Sequence, residues 1–292
     1  MSIQWYPGHM TAAKKKAEEA MEFNDVIIEV LDARIPGSST NPMIESIRSA
    51  RQRPNLKVLN KADLADPKIT EQWISYFNSQ AKTKAISLSA KKTSDVKQIL
   101  LECEKLAPHR GTNVKPLRML IMGVPNAGKS TIINALKNKR IAKVGNVPAV
   151  TKMQQRIEIT NSIILTDTPG MMWPKIVNEL DGIFLAASHS IGINAYDEIE
   201  TALTLSDTLK EKYPEFLINQ YGFKKPIPCD EEFLGHIAQV RNFILKGGKA
   251  NLLKAAVTFI NDYRSGSLGR ISLESPLSRK LMLDNSSQNT TI

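Results

Sequence analysis

Long apolar runs are missing from this chain. The longest, Ile183–Ala187, has five residues, against the roughly 20 that a membrane-spanning helix needs, so no such helix is expected. The N-terminus, MSIQWYPGHM, lacks the apolar stretch of a secretory leader. Cysteine is scarce too. Cys103 and Cys229 stand alone, which excludes a CxxC zinc module and a disulfide framework. With 15 glycines and 15 prolines among 292 residues, the chain is neither low-complexity nor collagen-like. What remains is 42% apolar and 23% charged, a composition for one large domain or two modest ones with real cores.

Charge is present in excess and unevenly spread. Lys plus Arg number 39 against 29 Asp plus Glu, a net +10. Residues 1–175 hold 27 basic and 15 acidic residues (+12), residues 176–240 hold 4 and 11 (−7), and residues 241–292 hold 8 and 3 (+5). A basic front and a basic tail around an acidic middle fit a polyanionic partner touched at two places, with solvated surface charge as the alternative.

The first 175 residues alternate between two patterns. MTAAKKKAEEAMEF (10–23) reads as a helix, and helical stretches recur at about 43–53, 68–80, 94–106 and 129–138. Between them lie short β-branched runs at Val26–Leu31, Leu56–Leu59, Ala85–Leu88, Leu117–Met122, Arg156–Ile159 and Ile163–Leu165. Apolar strands alternating with helices imply an α/β fold, a mostly parallel sheet covered on both faces. From residue 176 the strand signal ends, and a smaller all-helical domain is expected over 176–285, followed by a disordered tail at 286–292. Trp173-Pro174 reads as the hinge between the two domains.

Four motifs carry chemistry. Gly123-Val124-Pro125-Asn126-Ala127-Gly128-Lys129-Ser130 fits GxxxxGK[ST] between an apolar strand and a helical stretch that opens with Ser130-Thr131, the context a phosphate loop requires. Backbone amides of such a loop wrap phosphates with help from the helix dipole. Lys129 reaches the terminal phosphates, and Ser130 offers a hydroxyl to Mg²⁺. Asp167-Thr-Pro-Gly170 follows the strand SIILT, which puts Asp167 where Mg²⁺ is held and Gly170 where a γ-phosphate is sensed. Thr151 lies between these motifs and is the candidate second hydroxyl on Mg²⁺. Asn60-Lys61-Ala62-Asp63 ends the strand LKVL. A carboxylate at Asp63 accepts from guanine N1–H and its exocyclic amine together, whereas adenine would leave it unpaired. Ser89-Ala90-Lys91 ends the next strand and is placed to offer a backbone N–H to guanine O6.

The order of these motifs is inverted. Ordinary GTPases run phosphate loop, DxxG, NKxD, SAK; here NKAD and SAK precede the phosphate loop and DTPG. That is a circular permutation, which a fold tolerates because only chain ends and loops move. With WYPGHM (5–10), DARIP (32–36) and LGRISLE (268–274), the chain resembles the circularly permuted GTPases that assemble the large ribosomal subunit, the RbgA/YlqF type, over roughly residues 3–275. The resemblance implies a permuted phosphate-loop GTPase domain at 1–175 and an RNA- or ribosome-binding helical domain after it. It implies GTP/GDP and Mg²⁺ as ligands, and rRNA and proteins of the immature large subunit as partners. The factor would dock in its GTP state and leave after hydrolysis.

Several residues take their expected roles from the resemblance. Met171 stands where many GTPases place a water-orienting Gln, so His9 of the PGHM motif is the candidate catalytic group, with a structural or RNA-contacting role as its alternative. Asn126 matches family members that seat K⁺ beside the phosphates, with local loop capping as its alternative. Arg264, Arg270, Arg279 and Lys280 are candidate rRNA phosphate contacts. The family's PGVT reads Pro148-Ala149-Val150-Thr151 here, and alanine adopts φ > 0 less readily than glycine. A motif starting at Trp5 leaves no room for a mitochondrial transit peptide, so a cytoplasmic monomer without membrane attachment is expected. Two rival readings stay open: a GTP-gated RNA-binding protein with little hydrolysis of its own, and an ATP-using phosphate-loop kinase.

Overall fold

Val26–Asp32 (β1) is buried at all seven positions, as a strand must be when helices cover both faces of its sheet. In the computed structural model, which describes residues 10–138, 155–170, 172–173, 176 and 178–288, β1 is preceded by helix α1 (Met10–Glu22). It is followed by α2 (Pro36–Ser39), α3 (Pro42–Ala50), β2 (Asn55–Asn60), α4 (Pro67–Asn78) and β3 (Thr83–Ser87). Then come α5 (Thr93–Val96), α6 (Gln98–Leu106), β4 (Leu117–Met122), α7 (Lys129–Lys137), β5 (Gln155–Thr160) and β6 (Ile163–Asp167). The rest is helical: α8 (Glu179–Ala187), α9 (Glu198–Lys212), α10 (Pro214–Tyr221), α11 (Asp230–Val240), α12 (Leu252–Ser265) and α13 (Pro276–Gln288). Among the described residues no helix is long and apolar enough to cross a membrane.

The six strands form one sheet in the order β3-β2-β1-β4-β6-β5, parallel except for the antiparallel β5–β6 edge. The α/β expectation holds, and its strands lie within a residue or two of where the β-branched runs put them. Period-2 alternation sorts side chains to two faces. Ile27, Leu120 and Met122 meet α1 and α3, while Leu31 and Leu59 meet Trp73 and Phe77 of α4. Val26, Ile28, Val30, Met119 and Ile121 face the larger core. A buried ion pair interrupts the apolar pattern mid-strand. Glu29 and Lys57 are register partners across β1 and β2, and Lys57 Nζ donates to Glu29 Oε2 at 2.5 Å. Asn41 N–H donates to the other carboxylate oxygen, so both charges are partnered, the condition for tolerating them inside.

Helices α8–α12 do not form a separate core. Phe184, Leu205, Phe259 and Ile271 belong to the same buried cluster as Val30 and Ile121. Trp173, expected at a hinge, is only 8% exposed within that cluster. An indole so placed gains more from burial than a hinge would leave it, so the change in sequence pattern near residue 175 is no break in the packing.

The LGRISLE segment (268–274) returns to the sheet domain. Ile271 N–H donates to the Leu64 carbonyl and Leu273 N–H to the Arg34 carbonyl, each at 2.9 Å, while Trp73 Nε1 donates to the Glu274 carbonyl at 3.0 Å. Two expectations for the C-terminal part are corrected. Helix α13 runs to Gln288, three residues into the stretch expected to be disordered, because a helix already nucleated extends at one hydrogen bond per residue. Three of the four basic residues assigned to rRNA are engaged within the chain. Arg264 donates to the Ala186 and Ala187 carbonyls and to the Tyr196 hydroxyl, satisfying orphan carbonyls at the end of α8. Arg270 donates to Ala62 and Ala65. Arg279 pairs with the buried Asp181. Lys280 is exposed.

Candidate functional site

Parallel strands bring their carboxyl ends to one edge, and ligands of open α/β sheets bind there. Asp32 ends β1, Asn60 ends β2, Ser87 ends β3, Gly123 follows β4 and Asp167 ends β6. The permuted order therefore costs the site nothing. NKAD and SAK come from β2 and β3 on one side of the central β1–β4 pair, the phosphate loop follows β4, and DTPG follows β6 on the other side.

The loop 123–128 is built on close approach. Gly123 has φ of +142°, and a Cβ there would sit 2.3 Å from the Val30 carbonyl oxygen. Gly128 has φ of +103° and would meet Asn60 Nδ2 at 2.1 Å. Neither position admits a side chain. Val124, Pro125 and Ala127 are buried along the loop, and Asn126 takes φ of +57°. Lys129 is buried, with Nζ donating to the Gly123 and Val124 carbonyls at 3.0 Å each. Burial pulls its pKa down to about 8, partly offset by Asp167. A buried ammonium wrapped by a glycine turn at a helix N-terminus is fitted to an anion. Ser130 and Thr131 form the first turn of α7, partly exposed.

DTPG closes over this loop. Asp167 lies opposite Ile121 in the β4–β6 register, and Thr168 Oγ1 donates to the Ile121 carbonyl at 2.9 Å. A Cβ on Gly170 would come 3.0 Å from Pro125 Cα and 3.2 Å from Lys129 Nζ, tighter than ordinary contact, so the glycine lets the segment lie close to the phosphate loop.

Asn60 does more than end a motif. It is 2% exposed, its Nδ2 donates to the Ala127 carbonyl at 2.7 Å, and its Oδ1 accepts from the Ala90 N–H at 2.9 Å. One side chain thus ties NKAD to the phosphate loop and to SAK. The Ala90 amide is thus bonded to a side-chain carbonyl at the end of the adjacent strand β2. Asp63 stays partly open, with Lys91 Nζ 3.2 Å from its carboxylate. Burial raises the pKa of Asp63, but hydrogen bonds from Ser89 and Lys91 outweigh it and hold the group below its ordinary value.

Two residues of the site have no role legible in sequence. Asp32 takes both Arg34 Nε and Nη2, at 2.9 and 2.8 Å, and Lys61 Nζ at 2.8 Å. Burial opposes its ionisation, yet the two cations keep its carboxyl well below the usual range. Arg34 also donates to the Tyr263 and Arg264 carbonyls. The available signal is a second carboxylate on a buried, mostly apolar strand, which demands a cation nearby. Asn126 is also used differently from local loop capping: its Nδ2 donates to the His189 carbonyl, 2.7 Å away just past the C-terminal end of α8. His9, Thr151 and Met171 lie outside the described residues.

Known proteins can be set against this geometry. Residues 118–220 match a family described as 50S ribosome-binding GTPase. Ribosome biogenesis GTPase A of Bacillus cereus is 38% identical over 284 residues, spanning 94% of this chain and 95% of that protein. Mitochondrial ribosome-associated GTPase 1 of Bos taurus is 31% identical over 300 residues, spanning 94% and 89%. Among solved structures, GDP-bound TM YlqF and GNP-bound YlqF from T. maritima superpose with TM-scores of 0.66 and 0.65, at 25% and 26% identity. They cover 90% and 91% of this chain and 99% of each of those chains. Agreement along nearly the full length of both sequences, with the permuted motifs meeting on one sheet edge, leaves one assignment: the chain belongs to the ribosome biogenesis GTPase A family and is a GTPase.

Proposed function

We propose that this GTPase acts in assembly of the large ribosomal subunit, docking on rRNA and proteins of an immature particle in its GTP state and leaving after hydrolysis. It works as a cytoplasmic monomer. The observation that carries the coupling is the direct hydrogen bond from Asn126 in the phosphate loop to the His189 carbonyl among the C-terminal helices. A change at the phosphates is felt by that loop, and the loop touches the part of the chain proposed to meet the subunit.

The residues divide the work. Asp63 accepts from guanine, and Asn60 and Lys61 hold its loop in place. Amides of residues 123–130 and the Lys129 ammonium take the phosphates, and Gly170 sits where a γ-phosphate is sensed. Ser130, Asp167 and Thr151 are the proposed partners of Mg²⁺, which when bound neutralises charge developing on the phosphates. With Nδ2 engaged by the His189 carbonyl, Asn126 Oδ1 would be the acceptor for K⁺. His9 is the proposed water-orienting group, placed over the phosphates by the subunit.

Co-sedimentation tests this reading. Immature large subunits should retain the protein with a non-hydrolysable GTP analogue and release it with GDP, and phosphate release should rise in their presence. Retention independent of nucleotide would overturn the proposal. Nucleotide-dependent retention without hydrolysis would favour a GTP-gated RNA-binding protein.

A further inference from the structure

The loop that presents Asp63 does not hold its own shape. Lys61 sits at φ of +62°, a left-handed conformation that a residue with a side chain keeps only under constraint. Local bonds supply part of it: Ala62 N–H donates to the Leu88 carbonyl and Leu64 N–H to the Lys61 carbonyl. The carbonyls around Asp63 are taken by residues more than 200 positions away. Arg270 Nη2 donates to the Ala62 carbonyl and Arg270 Nε to the Ala65 carbonyl, each at 2.9 Å. Ile271 N–H donates to the Leu64 carbonyl between them, and Ser272 Oγ accepts from the Asp66 N–H at 3.1 Å. Side-chain packing follows the same line, since a Cβ on Gly266 would lie 2.7 Å from Leu64 Cδ2.

A second tie reaches the loop from the same direction. Lys61 Nζ rests on Asp32, Asp32 is clasped by Arg34, and Arg34 Nη1 donates to the last carbonyls of α12 at Tyr263 and Arg264. Those carbonyls carry the negative end of the helix dipole and favour the guanidinium. Residues 263–272 therefore grip the guanine loop on both flanks of Asp63. Among the described residues, Arg270 is the one side chain that bonds carbonyls on both sides of it. These are charge-assisted bonds, stronger than neutral ones.

From this geometry we infer that Arg270 is a positioning residue for guanine recognition, and that the 270–272 segment sets how long a guanine nucleotide stays bound. The inference rests on Asp63 reading the base. Asp63 aims two acceptor oxygens at two donors, an arrangement sensitive to small displacements. A loop released at residues 62 and 65 loses that aim while the phosphate loop stays intact.

The test separates base from phosphate. Release of a fluorescent GDP is followed by stopped flow for Arg270→Ala, Arg270→Lys and Ser272→Ala, and pyrophosphate affinity is measured on the same proteins. Arg270→Ala should release GDP roughly tenfold faster, the effect of losing about 1.4 kcal/mol of base-directed binding. Pyrophosphate affinity should hold within twofold. Arg270→Lys should fall between the parent and Ala, because one ammonium cannot span two carbonyls as the guanidinium fork does. Ser272→Ala should give a smaller acceleration in the same direction. Unchanged GDP release in all three variants overturns the inference. So does a parallel loss of pyrophosphate affinity, which would mean general loosening of the fold. Asp63→Asn serves as the independent control. If it fails to shift preference from GDP to XDP, the guanine reading itself falls. If it does shift while Arg270→Ala changes nothing, only the positioning role falls.

Discussion

Asn60 is the side chain through which the two halves of the nucleotide site are braced, and its removal should be costly for a reason that can be worked out. The residue is buried, and so are Ala127 and Ala90, whose carbonyl and amide it bonds. Asn60→Ala leaves both backbone groups without that partner, and each orphaned buried group costs about 1–3 kcal/mol. Water reaching the space vacated beside Gly128 would recover part of this. The expected loss is about 3 kcal/mol in urea unfolding followed by circular dichroism, accompanied by weaker GDP binding as the phosphate loop loosens. Asn60→Asp sharpens the point. It keeps an acceptor for the Ala90 N–H but sets a carboxylate oxygen against the Ala127 carbonyl, so it should be no better than alanine near neutral pH. Parental GDP affinity for Asn60→Ala, with stability within about 0.5 kcal/mol of the parent, would refute the bracing argument.

Four further outcomes follow from the site. Lys129 has its pKa lowered to about 8 by burial, and an anion bound beside it raises that value, so GDP binding at pH 8 should take up about half a proton. Calorimetry in buffers of different ionisation enthalpy reads the uptake, which should vanish in Lys129→Met. On the same grounds the unliganded protein should gain stability from pH 8 toward 10.5, because the unfolded lysine still holds a proton that the folded one has released. If Asn126 Oδ1 helps seat K⁺, hydrolysis should be faster in KCl than in NaCl at matched ionic strength; equal rates with and without ribosomes would leave Asn126 only its bond to His189. His9→Ala should abolish most subunit-stimulated turnover and leave GTP affinity nearly unchanged, since the imidazole acts in the transition state; stimulation within a few-fold of the parent would return the water-orienting role to another group.

What the sequence determined by itself is local. A phosphate loop is a run of backbone amides and a lysine in consecutive residues, so its chemistry is written in one stretch, and the glycines at 123 and 128 follow from φ angles that no other residue adopts cheaply. The buried strands were legible because a strand covered on both faces must be mostly apolar. The inverted motif order was legible because strand ends meet at one edge whatever the order of their connection. Contacts between distant segments were decided by the tertiary structure alone. Arg264, Arg270 and Arg279 read as free cations for rRNA, yet the first two find main-chain carbonyls and the third finds Asp181. A carbonyl acceptor is present at every residue and leaves no mark in sequence. Asp32 and Arg34 sat in a recognised motif without a role until folding set Lys61 on one side of them and the end of α12 on the other. The single core joining sheet and C-terminal helices has the same cause. Each helix shows an apolar face in sequence, but only packing decides which face it meets.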